Sequence, residues 1–93
     1  MSTTPDPATN AYRKDLADVA LAGTVIASHY AEPLLRHIVA RTILRQTPAA
    51  DGAEIATLKT GAAFRMLDCT RGWGWGYAED GRVGYVAAEA VSI

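Results

Sequence analysis

The stretch that decides the fold is Gly72-Trp73-Gly74-Trp75-Gly76-Tyr77, which leads through Asp80-Gly81 into Gly84-Tyr85-Val86. Apolar residues alternate on both sides of Asp80-Gly81, and Asp-Gly is a strong signal for a two-residue type I′ turn, in which both central residues have positive φ. The pattern predicts a β-hairpin. Because it carries both tryptophans and two of the four tyrosines of the chain, the hairpin indicates a binding face rather than a catalytic pocket.

Alternation along the first hairpin strand puts Trp73, Trp75 and Tyr77 on one face and small residues on the other. Three rings would overfill a small barrel, so either the glycine side lies against neighbouring backbone or a bulge turns Trp73 inward alone. We interpret Trp73 as a core residue and leave core and ligand contact open for the other rings. Exposed rings on a strand provide contact area at low entropic cost. The candidate ligand-binding residues are Trp75, Tyr77, Tyr85 and Trp73.

Length and composition exclude several classes of protein. A chain of 93 residues forms one domain with a modest core. A net charge of −1 without long charged runs gives no indication of nucleic-acid binding. No apolar run approaches the roughly 20 residues that span a bilayer, and no export signal is visible, which favours a cytoplasmic location. The single cysteine forms no internal disulfide and no metal-binding spacing, so no metal or other cofactor is predicted.

Before the barrel, the sequence predicts two segments. Residues 1–10 are small and polar and are interpreted as a disordered tail. Residues 11–36 are interpreted as a short helix followed by an extended arm, with Asp15 as the N-cap, Gly23 as the C′ residue and a strand or extended arm from Thr24 to Tyr30. A helix of about two turns is marginal alone, so its apolar side must dock on the rest of the domain.

Residues 37–93 have the spacing of a small antiparallel barrel of about five short strands, so the predicted fold class is mainly β. The loop at 46–52 contains Pro48, which cannot donate to a β-ladder, and the turn residues Asp51-Gly52. Phe64 and Met66 are expected on one face of the middle strand. The predicted strands are 38–45, 55–58, 64–68, 73–78 and 82–86.

The order of several short motifs resembles the bacterial SH3-like (SH3b) domain over residues 38–91. These motifs are Leu44-Arg45-x-x-Pro48, Ile55-Ala-Thr-Leu58-Lys-x-Gly61, Gly72-Trp73 and Gly84-Tyr85-Val86. In addition, Tyr12-Arg13-Lys14-Asp15-Leu16 with Gly23-Thr24-Val25 is similar to the segment that precedes this domain in certain NlpC-type cell-wall cysteine peptidases. Together the two matches cover nearly the whole chain.

The resemblance implies a non-catalytic module that binds peptidoglycan stem peptides, or positions them for a papain-like catalytic domain beyond this chain. It implies the cell envelope or periplasm, in contrast to the missing export signal. Ala87 and Ala90 stand where eukaryotic SH3 grooves have the Pro and Tyr that hold polyproline, so a PxxP groove is not expected. Four acidic residues are candidates for binding stem-peptide amines, although solvated hairpin charges are the simpler interpretation. They are Asp68, Glu79, Asp80 and Glu89.

Two alternatives remain. In the first, the N-terminal helix and the aromatic face dock onto another domain, such as the chain's own catalytic domain, or onto a second copy, without a small ligand. In the second, the chain is an enzyme, for which Cys69 is the sole thiol nucleophile and His29 and His37 the sole imidazoles. Cys69 is expected at a strand end, partly buried, whereas such nucleophiles usually begin a helix. We therefore expect no catalysis by this chain.

Overall fold

The computed structural model describes residues 8–13, 15–22 and 27–92. Most of the predicted tail, residues 1–7, lies outside the described residues. The described part consists of short β-strands with two 3-10 helices, Val19–Leu21 and Ala88–Ala90. The strands are β1 (Leu16–Asp18), β2 (His29–Ala31), β3 (Leu34–His37), β4 (Thr42–Arg45), β5 (Glu54–Leu58), β6 (Ala63–Thr70), β7 (Trp73–Ala78) and β8 (Val83–Ala87).

Six of these strands form one antiparallel sheet in the order β3-β6-β7-β8-β4-β5, whereas β1 and β2 form a separate parallel pair. The mainly β class and the predicted hairpin of β7 and β8 are confirmed. The single strand expected at 38–45 is wrong, because residues 39–41 interrupt it. Ile38 instead makes an isolated bridge to Val91 and is fully packed in the core.

One face of the sheet carries the larger apolar core. Its buried members are Ile38, Leu44, Leu58, Phe64, Ala78, Val86 and Val91. The glycines of β7 lie on this face: a Cβ at Gly74 would contact the side chains of Met66 and Val86, and a Cβ at Gly76 would overlap the backbone carbonyl of Arg65. Of the two alternatives, the one in which the glycine side lies against neighbouring backbone is therefore confirmed at Gly76, whereas Gly74 faces side chains.

The opposite face of β7 and β8 carries a second core that includes the N-terminal part of the chain. Ala11, Trp75, Tyr77 and Val83 are buried together, with Leu16, Leu67 and Tyr85 packed around them. We call residues 8–13 and 15–22 the N-terminal arm. It covers the aromatic face of the hairpin, so this face is part of the folded core.

The predicted N-terminal α-helix is wrong. Leu16–Asp18 is a strand, and Asp18, rather than Asp15, caps a single 3-10 turn by accepting a hydrogen bond from the Ala20 amide at 3.0 Å. A two-turn helix has little stability of its own, and pairing with β2 and burial against Tyr77 stabilise the extended conformation instead. The expected stop at Gly23 and the first part of the expected strand, residues 24–26, lie outside the described residues. The last residues of the strand or extended segment predicted from Thr24 to Tyr30 lie in β2.

The turn between β7 and β8 differs from the prediction. The loop between the paired residues Ala78 and Arg82 has three residues: the Gly81 amide donates to the Ala78 carbonyl, the Ala78 amide donates to the Arg82 carbonyl, and Gly81 alone in this loop has positive φ, +90°. This is a type I turn followed by a glycine in the left-handed region. The type I′ assignment of Asp80-Gly81 is therefore wrong. A two-residue turn with positive φ at both positions joins β6 to β7 instead, at Arg71 (54°) and Gly72 (83°).

Candidate functional site

The aromatic residues singled out in the sequence divide into a covered pair and an accessible pair. Trp75 and Tyr77 retain only 3% and 7% of their exposure. Trp73 and Tyr85 are half-buried at the surface of the same face. The expectation that Trp73 is the core ring is thus wrong, and Trp75 takes that place. The reason is the N-terminal arm, which packs over Trp75 and Tyr77 and leaves Trp73 uncovered.

A chain of hydrogen bonds holds the arm onto Tyr77. The Ala11 amide donates to the Tyr77 hydroxyl at 3.0 Å, and that hydroxyl donates to Asp18 Oδ2 at 2.8 Å. Burial, together with the Asp18 carboxylate, raises the pKa of Tyr77, while the Ala11 amide acts in the opposite direction. Asp18 is itself buried, so these bonds satisfy a charge that would otherwise be costly to remove from water.

Arg13 connects the arm to the surface of the hairpin. Its guanidinium carbon lies 4.3 Å from the centroid of the Trp75 ring, within the range of a cation–π contact. One terminal nitrogen lies 3.0 Å from both Asp15 and Asp68, and the other donates to the Tyr85 hydroxyl at 3.4 Å. Burial alone would lower the pKa of Arg13, but its hydrogen bonds, led by that to Tyr85, outweigh burial and raise it.

A β-bulge aims Asp68 at this cluster. The pairing of β6 with β7 shifts between Met66 and Asp68, so Met66 faces the larger core opposite Gly76 while Asp68 stands opposite Trp75. An extra residue in one strand reverses the alternation of the side chains that follow it. Without the shift, Asp68 would share the face of Met66 and point into the core.

These residues border a small open cavity of about 270 Å³, which we call the Trp73–Tyr85 cleft. Trp73 and Tyr85 provide aromatic surface, and Asp68 and Arg13 keep 29% and 24% side-chain exposure, so both charges remain accessible. The cleft therefore combines rings with a cation and an anion. Its lining residues are Arg13, Pro48, Asp68, Thr70, Arg71, Trp73 and Tyr85.

Two larger depressions flank this cleft. One shares Arg13, Asp68, Thr70 and Arg71 with it and extends toward His29, with a volume of about 500 Å³. The other, of about 470 Å³, lies on the far side of Tyr85 beside Val83 and Gly84 and is mainly apolar. The polar depression continues the cleft, so the charged side chains line a longer groove.

The remaining acidic candidates make local contacts outside the cleft. Glu79 accepts a hydrogen bond from the Ala63 amide at 2.9 Å. Asp80 pairs with Arg82, whose hydrogen bonds lower the pKa of Asp80. Glu89 is exposed. Of the four acidic candidates, only Asp68 lines the cleft.

The thiol and imidazoles stand on different strands. Cys69 lies in β6 opposite Gly74 and is exposed, contrary to the partial burial that we expected. His29 lies in β2 and His37 in β3, and both are exposed. Within residues 8–13, 15–22 and 27–92, no group of three histidine, cysteine, aspartate or glutamate side chains is arranged to hold a metal ion.

Sequence reasoning missed Arg13 as a site residue. Its partners Asp68 and Tyr85 are 55 and 72 residues away in the chain. Arg13 entered the sequence analysis only as part of a motif, and no local pattern links it to either partner.

No protein-family profile matches this chain, and no curated protein or solved structure matches it at a significant level. Among the helices in the part of the chain that the structure describes, none has the length and apolar character needed to cross a bilayer.

Proposed function

We propose that this chain is a non-catalytic SH3-like domain that binds a peptidoglycan stem peptide and positions it for a peptidase catalytic domain beyond the chain. The observation that carries the proposal is the Trp73–Tyr85 cleft, in which two half-buried rings border an accessible Arg13–Asp68 pair. The sequence resemblance supplies the ligand class and the catalytic partner.

The topology supports the SH3-like part of the proposal. Strand β8 is followed by the 3-10 turn Ala88–Ala90, after which Val91 returns to bridge Ile38 beside β3. The C-terminal residues are thereby joined to β3, an end strand of the sheet. A chain that returns to an end strand in this way supports a sheet that curls around its core, as in small barrels.

The chemistry of the cleft fits a short peptide with charges of both signs. A carboxylate can accept hydrogen bonds from Arg71, which is exposed, or from Arg13, and an amine can donate to Asp68. Trp73 and Tyr85 supply apolar contact area between these charges. Stem peptides carry carboxylates and free amines along a short backbone, so their groups match this arrangement.

The structure changes which aromatic residues enter the proposal. Trp75 and Tyr77 were candidate contacts, but the N-terminal arm covers both. We therefore assign the ligand contacts to Trp73 and Tyr85. Ala87 stands opposite Trp73 in the sheet, so this ring has no proline neighbour at the paired position of β8.

The proposal is tested by titrating the chain with purified muropeptides and following backbone amide shifts by NMR. We expect shifts at Trp73, Tyr85 and Thr70. Asp68→Asn and Arg71→Ala should each weaken binding about tenfold, the effect of one charge-assisted hydrogen bond. The matched controls Asp51→Asn and Arg41→Ala alter exposed residues outside the cleft and should leave the affinity unchanged.

Absence of shifts at millimolar muropeptide would overturn the proposal, and so would equal losses in the test and control variants. The first result would favour the docking alternative, in which the domain binds another protein and no small ligand. That alternative cannot use Trp75 and Tyr77 while the arm covers them, so it needs a different surface.

A further inference from the structure

The edge strand β3 is partly paired along its outer side by the C-terminal residues. The Val39 amide donates to the Ala90 carbonyl at 2.7 Å, and the Ser92 amide donates to the His37 carbonyl at 2.9 Å. The His37 amide in turn donates to the Ser92 hydroxyl at 3.0 Å. Residues 90–92 therefore run antiparallel to β3 and cover its second half.

The first half of β3 has no such cover among the described residues. Outward-facing backbone groups alternate along an antiparallel strand. Because His37 and Val39 point their amides outward, Leu35 is the next residue whose N–H and C=O face away from β6. The pairing seen at Ser92 and His37 does not extend to Leu35 in the described part of the chain. Its N–H and C=O form a short open sheet edge.

The side chains at this open edge are unusually apolar. Leu34 is 56% exposed and Leu35 is 61% exposed, and Val39 in the following turn is also exposed. Open edges are normally protected by charge, proline or a covering segment, because an open edge pairs readily with another strand. Exposed leucines on both faces of an open edge are instead suited to an added strand, which would cover them.

Two arginines border the same edge. Arg36 lies in β3 itself. The Nε atom of Arg36 is buried and has no hydrogen-bond partner among the residues that the structure describes. A buried donor without an acceptor is costly, and a carboxylate brought beside it would satisfy it. Arg65, opposite Leu35 in β6, adds a cation on the other face.

We propose that the Leu34–Arg36 edge is a docking site for an extended segment of a partner protein in which acidic and apolar residues alternate. The segment adds to β3 as a strand. The backbone of the segment pairs with Leu35. Its apolar side chains cover the Leu35 side chain on one face of the sheet, and its carboxylates face Arg36 on the other face. A second copy of this chain would bring the same arginines to the edge, so charge favours an acidic partner. The site is separate from the Trp73–Tyr85 cleft and does not depend on peptide binding there.

The probe is a capped hexapeptide of alternating valine and glutamate, and the control probe is its valine–lysine counterpart. We expect the glutamate peptide to shift the amides of β3 and to slow hydrogen exchange of the Leu35 amide. Leu35→Pro removes the outward N–H, so it should weaken binding at least about tenfold. Leu35→Ala keeps that N–H and should weaken binding less.

A charge reversal tests the electrostatic part of the proposal even if the proline variant does not fold. Arg36→Glu should invert the preference, so that the lysine peptide binds more tightly than the glutamate peptide. Arg41→Glu makes the same change of net charge at an exposed residue outside β3 and should keep the original preference. An unchanged preference in Arg36→Glu would overturn the proposal.

Two further outcomes would also overturn it. Shifts confined to the Trp73–Tyr85 cleft would place the probe at the other site. Self-association of the chain without peptide, detected by sedimentation and abolished by Leu35→Pro, would identify a second copy as the occupant. The muropeptide titration reads different amides, so failure of one proposal is distinguishable from failure of the other.

Discussion

Replacing the covered tryptophan, Trp75, by alanine should destabilise the domain far more than the same change at Trp73. Trp75 is buried in the second core, with Arg13 over its ring and the Tyr85 ring centroid 6.3 Å away. Trp73 keeps part of its surface in water and belongs to neither core. The two residues lie in one strand and on one face, so each serves as the control for the other.

The expected loss follows from this burial. Truncating a buried tryptophan to alanine costs about 3 to 5 kcal/mol, and the cation–π and ring contacts place Trp75→Ala near the middle of that range or above it. Trp73→Ala loses about half of that apolar burial and should cost about 1 to 2 kcal/mol. A chain of 93 residues has a total stability of about 5 to 14 kcal/mol. Trp75→Ala therefore removes a large share of it.

Urea unfolding followed by far-UV circular dichroism measures both losses without relying on the mutated fluorophore. With a slope of about 1.5 kcal/mol per molar urea, a loss of about 4 kcal/mol lowers the midpoint by about 2.7 M. Trp73→Ala should lower it by less than about 1.5 M. A larger loss in Trp73→Ala than in Trp75→Ala would refute the assignment of the two rings, and with it the covering role of the N-terminal arm.

Three more predictions concern the close-packed glycine, the tyrosine hydroxyl and the hairpin turn. Gly76→Ala should cost about 2 to 3 kcal/mol in thermal or urea unfolding, because its Cβ would overlap a backbone carbonyl of β6; Gly74→Ala, where the nearest atom belongs to a flexible side chain, should cost less than half as much. Because the pKa of Tyr77 is raised in the folded state, the contribution of its protonated hydroxyl to the free energy of unfolding is fully present below about pH 10 and is lost as the pH rises through the folded-state pKa. Wild type should therefore lose more stability than Tyr77→Phe between pH 8 and 11. Parallel pH profiles of the two proteins would contradict this. Gly81→Val should cost about 1 to 2 kcal/mol, because Gly81 has a φ of +90° that a β-branched residue adopts poorly; an unchanged melting temperature would be inconsistent with the observed turn.

The parts of the fold that were predicted correctly depend on residues close together in the sequence. Alternation defined β7 and β8 and put the glycines on one face, and Pro48 with Asp51-Gly52 located the loop at 46–52. The turn between β7 and β8 was placed correctly, but its type was not. Asp-Gly is compatible with both two-residue and three-residue turns, and the pairing of the flanking strands decides between them.

The covering of the aromatic face could not be predicted, because it depends on contacts between distant residues. The Ala11 amide and the Tyr77 hydroxyl are separated by 66 residues, and Tyr77 and Asp18 by 59. Local propensity at residues 15–22 favoured a helix, but long-range pairing outweighed it. Intrinsic helix propensity has little influence on the conformation of a segment of this length when the segment can pack against another element.

The covering arm also explains why the accessible cleft lies at one end of the aromatic face. Trp75 and Tyr77 need the arm, because their burial comes with a carboxylate, Asp18, which accepts hydrogen bonds from the Tyr77 hydroxyl and the Ala20 amide. Displacing the arm would expose both rings and remove the hydroxyl partner of Asp18, so the arm behaves as part of the core rather than as a removable cover. Arg13 is the part of the arm that reaches the cleft, where it pairs with Asp68. Under the proposed function, a ligand carboxylate that binds Arg13 would share it with Asp68 and the Trp75 ring, and this competition would couple ligand binding at the cleft to the packing of the second core.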